Sequence, residues 1–90
     1  MALQVELFGV PRLLVGQRHL ALEPSGTTLA DAARALAEAC PALVGKVLSP
    51  QTGWPLDGYT FAVDTRFTRD PAALLPATGS LLLVSSQAGG

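Results

Sequence analysis

Leu3, Val5 and Leu7 alternate with Gln4, Glu6 and Phe8, the period-2 pattern of a strand with one face in a core. Pro11 limits how far that pairing runs, so a first strand is expected over residues 3–10. Gly16-Gln17 then reads as a turn, and Leu20 and Leu22 alternate with Ala21 and Glu23 until Pro24-Ser25-Gly26 breaks the pattern, which predicts an antiparallel hairpin. The period changes after Thr28. Leu29, Ala33, Leu36, Ala37 and Cys40 share one side of a helix, Asp31, Arg34 and Glu38 take the other, and Pro41 ends it. Thr28 with Asp31 three residues on is a start signal, because both can meet the amides left open in the first turn.

Pro41 is also placed to open a short second helix with Leu43, Val44, Val47 and Leu48 inward, closed by Ser49-Pro50. Residues 50–58 hold two prolines and two glycines and are expected to be irregular, with Trp54 folding back over an edge. Tyr59, Phe61 and Val63 form a third strand, Phe67 lies in a short fourth one, and Asp70-Pro71 suggests a helical turn through Leu75. Leu81 and Leu83 alternate with Leu82 and Val84 in a closing strand between Gly79-Ser80 and Ser85-Ser86. Its unbroken Leu-Leu-Leu-Val composition suits a central strand lying parallel to the first. Hairpin, helix and further strands make an α+β plan, with one helix across a mixed sheet of four or five strands. That arrangement is the β-grasp.

Composition narrows the function. The chain has 90 residues, 49% of them apolar, enough for one core and no second domain. Six Lys or Arg against seven Asp or Glu provide no basic footprint for nucleic acid or an anionic membrane, and the partners expected are proteins. The apolar runs are far short of the roughly 20 residues that span a bilayer. No charged start precedes an apolar block, so no secretory signal is visible and a cytoplasmic protein is expected. One cysteine, Cys40, and one histidine, His19, are too few for a disulfide or a zinc cage, and no metal site is expected. Cys40 on the apolar helix stripe reads as a core thiol and His19 as a surface strand residue. No carboxylate pair or Ser/His/Asp set emerges, so no catalytic residues are assigned.

Position sharpens the charge count. Every charged side chain lies at or before Asp70, leaving the last twenty residues neutral. Phe8 breaks the polar register of Gln4 and Glu6, and Leu82 and Val84 lie opposite the core positions Leu81 and Leu83. If the two strands are neighbours, Phe8, Leu82 and Val84 form an apolar patch at the root of the tail, unless the second helix or the Trp54 loop covers them. Arg12, Arg66 and Arg69 are either contacts for acidic patches on a partner or simple solvated charges.

A hairpin from Val5-Glu6-Leu7-Phe8 through Arg12-Leu13-Leu14-Val15-Gly16, a Thr-Leu-x-x-Ala helix start at Thr28, Ala62-Val63-Asp64 and a final Gly89-Gly90 carry a resemblance. Over essentially its whole length the sequence resembles the MoaD/ThiS family of ubiquitin-like sulfur carriers, and within it the molybdopterin synthase small subunit. Asp64 stands where the family often has Asn, Gly79-Ser80 where it has Gly-Asp, and Ser85-Ser86-Gln87-Ala88 where molybdopterin-type members have a proline segment.

The resemblance implies a β-grasp domain over residues 1–84 and a flexible tail over residues 85–90. It implies that Gly90 is adenylated by a ubiquitin-activating-type (MoeB/ThiF-like) adenylyltransferase using ATP, then converted to a thiocarboxylate with sulfur from a persulfide donor. The chain itself binds no cofactor and acts as a cosubstrate rather than an enzyme. Partners are expected to dock on Phe8, Leu82 and Val84, with Gln87, Ala88, Gly89 and Gly90 entering the partner. Glycine suits a narrow tunnel because it has no Cβ. An uncharged tail enters a low-dielectric channel without the cost of desolvating an ion, and six residues reach roughly 20 Å. The implied acceptor is the molybdopterin synthase large subunit in molybdenum cofactor biosynthesis. Thiamine, cysteine or tRNA thiolation, conjugation of Gly90 to lysines as a ubiquitin-like modifier, and a plain interaction module remain alternatives at this point.

Overall fold

A computed structural model describes residues 2–64 and 66–85. Five strands form one mixed sheet in the order β2-β1-β5-β3-β4. They are β1 (Leu3–Leu7), β2 (His19–Leu22), β3 (Tyr59–Val63), β4 (Arg66–Thr68) and β5 (Ser80–Ser85), with helices α1 (Val10–Val15) and α2 (Leu29–Ala39). β5 is central, parallel to β1 and antiparallel to β3. This is the β-grasp plan expected from the sequence, with β5 running one residue past Val84.

Alternation decides what is buried. Leu3, Val5 and Leu7 of β1, Leu22 of β2, Phe61 of β3 and Leu81 and Leu83 of β5 meet Leu29, Ala32, Ala33 and Leu36 of α2, and Cys40 at its C-terminal cap, in one core. Burying each Leu or Phe contributes about 1.5–3 kcal/mol. Pro41–Leu43 forms a single 3₁₀ turn rather than the longer helix expected, because Gly45 takes φ +84° and its N–H turns back to the Leu48 carbonyl. Leu43, Val47 and Leu48 still enter the core, whereas Val44 stays half-buried. Trp54 packs edge-on against Phe61, with ring centroids 5.6 Å apart, and so covers the core side of β3.

The connection between β1 and β2 corrects the sequence reading. β1 ends at Leu7, and residues 10–15 are helical rather than the end of a hairpin arm. Pro11, read as a strand stop, fits the first turn of a helix, where no N–H is needed. Gly16, read as the hairpin turn, is the left-handed cap of that helix, with φ +81° and its N–H on the Arg12 carbonyl. The helical turn expected after Asp70-Pro71 is also replaced. Asp70 closes one turn on Ala72 and Ala73. The chain then runs extended, and Leu74 bridges Thr28. The reason lies in α2: the open amides of Leu29 and Ala30 donate to the carbonyls of Ala73 and Pro71.

Thr28 and Asp31 complete that helix end as a capping box. The Asp31 N–H donates to Thr28 Oγ1 (3.3 Å), while the Thr28 N–H (3.1 Å) and hydroxyl (2.9 Å) donate to Asp31 Oδ2. Thr28→Ala is expected to cost about 1 kcal/mol. The Thr28 N–H, then its hydroxyl, hold the Asp31 carboxyl below its ordinary value of 3.8. The stabilisation is therefore complete above that ordinary value and is lost as the pH falls through the lower, folded one. A pH series of melting curves checks this: the Tm gap between the natural chain and Asp31→Ala should be widest near neutral pH and narrow below about pH 4.

Candidate functional site

The C-terminal end of β5 is where the topology gathers exposed apolar side chains. Glu6 lies opposite Leu82, Leu82 opposite Ala62, and Ala62 opposite Phe67, so these residues share the sheet face away from α2. Thr60 and Val84 form the next pair on that face. Phe8 follows β1 directly, and its N–H donates to the Leu83 carbonyl (3.0 Å). Phe8 is 41% exposed, and Leu82 and Val84 are half-buried. The 41–48 segment and Trp54 pack on the core side and leave this face open.

Phe67 adds to the patch and was not part of the sequence expectation. It is 71% exposed on edge strand β4. Phe8, Gly9, Phe67, Val84 and Ser85 line an almost wholly apolar hollow of about 370 Å³, large enough for a big side chain of a partner. Leu82 shares the face without lining the hollow. On the other side of Leu82 the apolar surface gives way to Glu6, whose carboxylate lies 3.6 Å from His19 Nε2. Val10 and Leu13 of α1 are exposed as well.

The root of the tail is held from the β3 side. Ser85 pairs with Tyr59, and its hydroxyl donates to the Gly58 carbonyl (3.3 Å). Arg69 braces the same turn, its guanidinium donating to the carbonyls of Tyr59 and Pro55. Arg12, Arg66 and Arg69 are all exposed, and Arg69 alone of them has this structural task among the described hydrogen bonds. Gln87, Ala88, Gly89 and Gly90 lie outside the described residues.

Cys40 is buried, and desolvation pushes its thiol up from the ordinary value, so it is a poor nucleophile. Among the described residues no group of His, Cys, Asp and Glu could hold a metal, and no helix is long and apolar enough to cross a membrane. A second apolar groove of about 410 Å³ lies at the opposite end of the parallel β1–β5 pair, between Leu3, Thr27, Leu75 and Gly79.

No protein-family model and no curated protein sequence matches this chain. Solved structures do. The crystal structure of SAMP1 from Haloferax volcanii superposes with a TM-score of 0.81 at 24% identity, covering 100% of both chains. The solution structure of small archaeal modifier protein 1 from Methanosarcina acetivorans gives 0.75 at 20% identity, over 99% of this chain and 96% of that one. The HVO 2177 protein of Haloferax volcanii gives 0.71 at 22% identity, over 100% and 87%. At these identities the likeness establishes the fold.

Proposed function

We propose that this chain is a sulfur carrier whose Gly90 carboxylate is activated by adenylation and converted to a thiocarboxylate that donates sulfur. The observation that carries the reading is the central placement of β5: it ends beside the open Phe8–Phe67–Val84 hollow, five residues before Gly90. A partner seated there receives the Gln87, Ala88, Gly89 and Gly90 tail, which at about 3.3–3.6 Å per residue reaches well inside it.

Chemistry sets the order of events. A carboxylate has no workable leaving group, so an adenylyltransferase first forms an acyl–AMP with ATP and releases pyrophosphate. The outer sulfur of a persulfide donor then displaces AMP to give an acyl disulfide, and a second thiol of the donor system attacks the donor's sulfur, forming a disulfide with it and releasing the thiocarboxylate. The thiocarboxylate is a better nucleophile than carboxylate oxygen and is renewed each cycle, which makes the protein a cosubstrate rather than an enzyme. We assign the acceptor to molybdopterin synthase, with this chain as its small subunit, on the resemblance in Val5–Phe8, Thr28, Ala62–Asp64 and Gly89-Gly90.

A second reading, conjugation of Gly90 to lysines, is favoured by the fold shared with small archaeal modifier proteins. Both readings need the same activated Gly90. Incubating the chain with ATP, hydroxylamine and an extract of its host tests that step. An ATP-dependent hydroxamate on Gly90 is expected. A chain left unchanged at Gly90 with ATP present contradicts both readings.

A further inference from the structure

The sheet ends in β2 on one side and β4 on the other. Proteins blunt such edges with proline, charge or a covering segment, yet β4 carries the largely exposed Phe67 at its centre. Its backbone is placed to pair. The Thr68 carbonyl accepts from the Thr60 hydroxyl (3.1 Å) and so points toward β3. Backbone groups alternate in direction along an antiparallel strand, which turns the N–H and C=O of Phe67 and Arg69 toward the open edge. The Arg69 guanidinium, fixed on the carbonyls of Tyr59 and Pro55, keeps the chain beside β3 past the end of β4.

Charge selects what pairs there. Arg66 and Thr68 line one hollow on the sheet face opposite Phe67, and the Asp70 N–H reaches back to Thr68 Oγ1 (3.4 Å). Neither Arg66 nor Asp70 has an ion pair among the described residues. Asp70 Oδ1 accepts from the Ala72 N–H (3.0 Å) and leaves Oδ2 for a cation. Two antiparallel registers join the outward-facing residues of two copies of this edge. A register centred on Phe67 sets Asp64 against Asp70 of the second copy, which are like charges. A register centred on Thr68 sets Phe67 against Arg69 of the second copy and Arg66 against Asp70 of the second copy. Symmetry repeats that ion pair on the other side of the axis, so this edge complements itself.

We propose that β4 is the interface of a symmetric dimer of this chain, in which two β4 edges pair antiparallel about Thr68 and two Arg66–Asp70 ion pairs fix the register. The five-stranded sheet then runs on into that of the second copy. Phe67 is a wall of the docking hollow, so the second copy lies along the rim of that hollow. The inference does not depend on the chemistry at Gly90.

Sedimentation equilibrium of the full chain, from about 10 μM to about 1 mM, tests it by mass action. A monomer–dimer equilibrium that weakens with added salt is expected. Arg66→Asp and Asp70→Arg each set like charges across the axis, and each should raise the dimer Kd by about tenfold or more. Mixed in equal amounts, the two variants bring an acidic edge against a basic one. A heterodimer about as tight as the natural dimer should return, which also shows that both variants are folded. A natural chain that stays monomeric across the range overturns the proposal. Self-association that either single variant leaves unchanged does the same, as does a mixture no tighter than its components. Loss of adenylyltransferase binding in Arg66→Asp, with the natural chain monomeric, gives the edge to that partner and overturns self-pairing.

Discussion

Phe61→Ala is expected to cost about 3–5 kcal/mol, a large share of the roughly 5–15 kcal/mol that holds a domain of this size together. Phe61 is fully buried at the middle of β3 and lies opposite Leu83 of β5. Truncation leaves a cavity between the central strand and α2 and removes the edge-on contact with Trp54, an aromatic pair worth about 0.5–1.5 kcal/mol beyond burial. Trp54 is in turn the cover of its loop, tied by its carbonyl to the Ser49 N–H (2.8 Å). Urea unfolding measures the loss directly, with a lower midpoint at an unchanged slope. A loss below about 1 kcal/mol would mean that the core does not depend on this layer.

Phe67→Asp should do the reverse. With 71% of its surface exposed, Phe67 contributes little to folding, and the unfolding free energy is expected to move by about 0.5 kcal/mol or less. Its ring forms one wall of the hollow whose other wall is Phe8, so a carboxylate there places an unpaired charge in the contact. Loss of at least about 2 kcal/mol of binding, roughly thirtyfold in Kd, is expected for the adenylyltransferase of the same host. Calorimetric titration of the two proteins gives the number. An unchanged Kd for both Phe67→Asp and Phe8→Asp would remove this face from the docking account.

Much of this was legible in the sequence because its signals are local. The Thr28–Asp31 spacing marks the start of α2, and the Leu81/Leu83 alternation marks a strand buried on one face. The misread parts depend on which of two local meanings the tertiary structure selects. Pro11 can stop a strand or start a helix, and only six residues of α1 were available to reveal a period. Asp70-Pro71 can open a helix, but the free amides of α2 take the Pro71 and Ala73 carbonyls, and after a single turn the chain runs extended past Leu74. Phe67 was missed for a different reason. A strand of three residues has no alternation to read, and its face is fixed by pairing with Ala62 across a bend in which Asp64 takes φ +51°. Of the residues expected in the patch, Phe8 is exposed and Leu82 and Val84 are half-buried, and the hollow beside Phe8 and Val84 needed Phe67 to close it.

The most direct test of the carrier reading is the intact mass of the protein isolated from its own host, before and after treatment with an alkylating agent. A fraction ending at Gly90 with one oxygen replaced by sulfur is expected, with a single alkyl group that maps to residues 70–90 rather than to Cys40. A chain whose Gly90 carries only an unmodified carboxylate, or is followed by further residues in the mature protein, would contradict it.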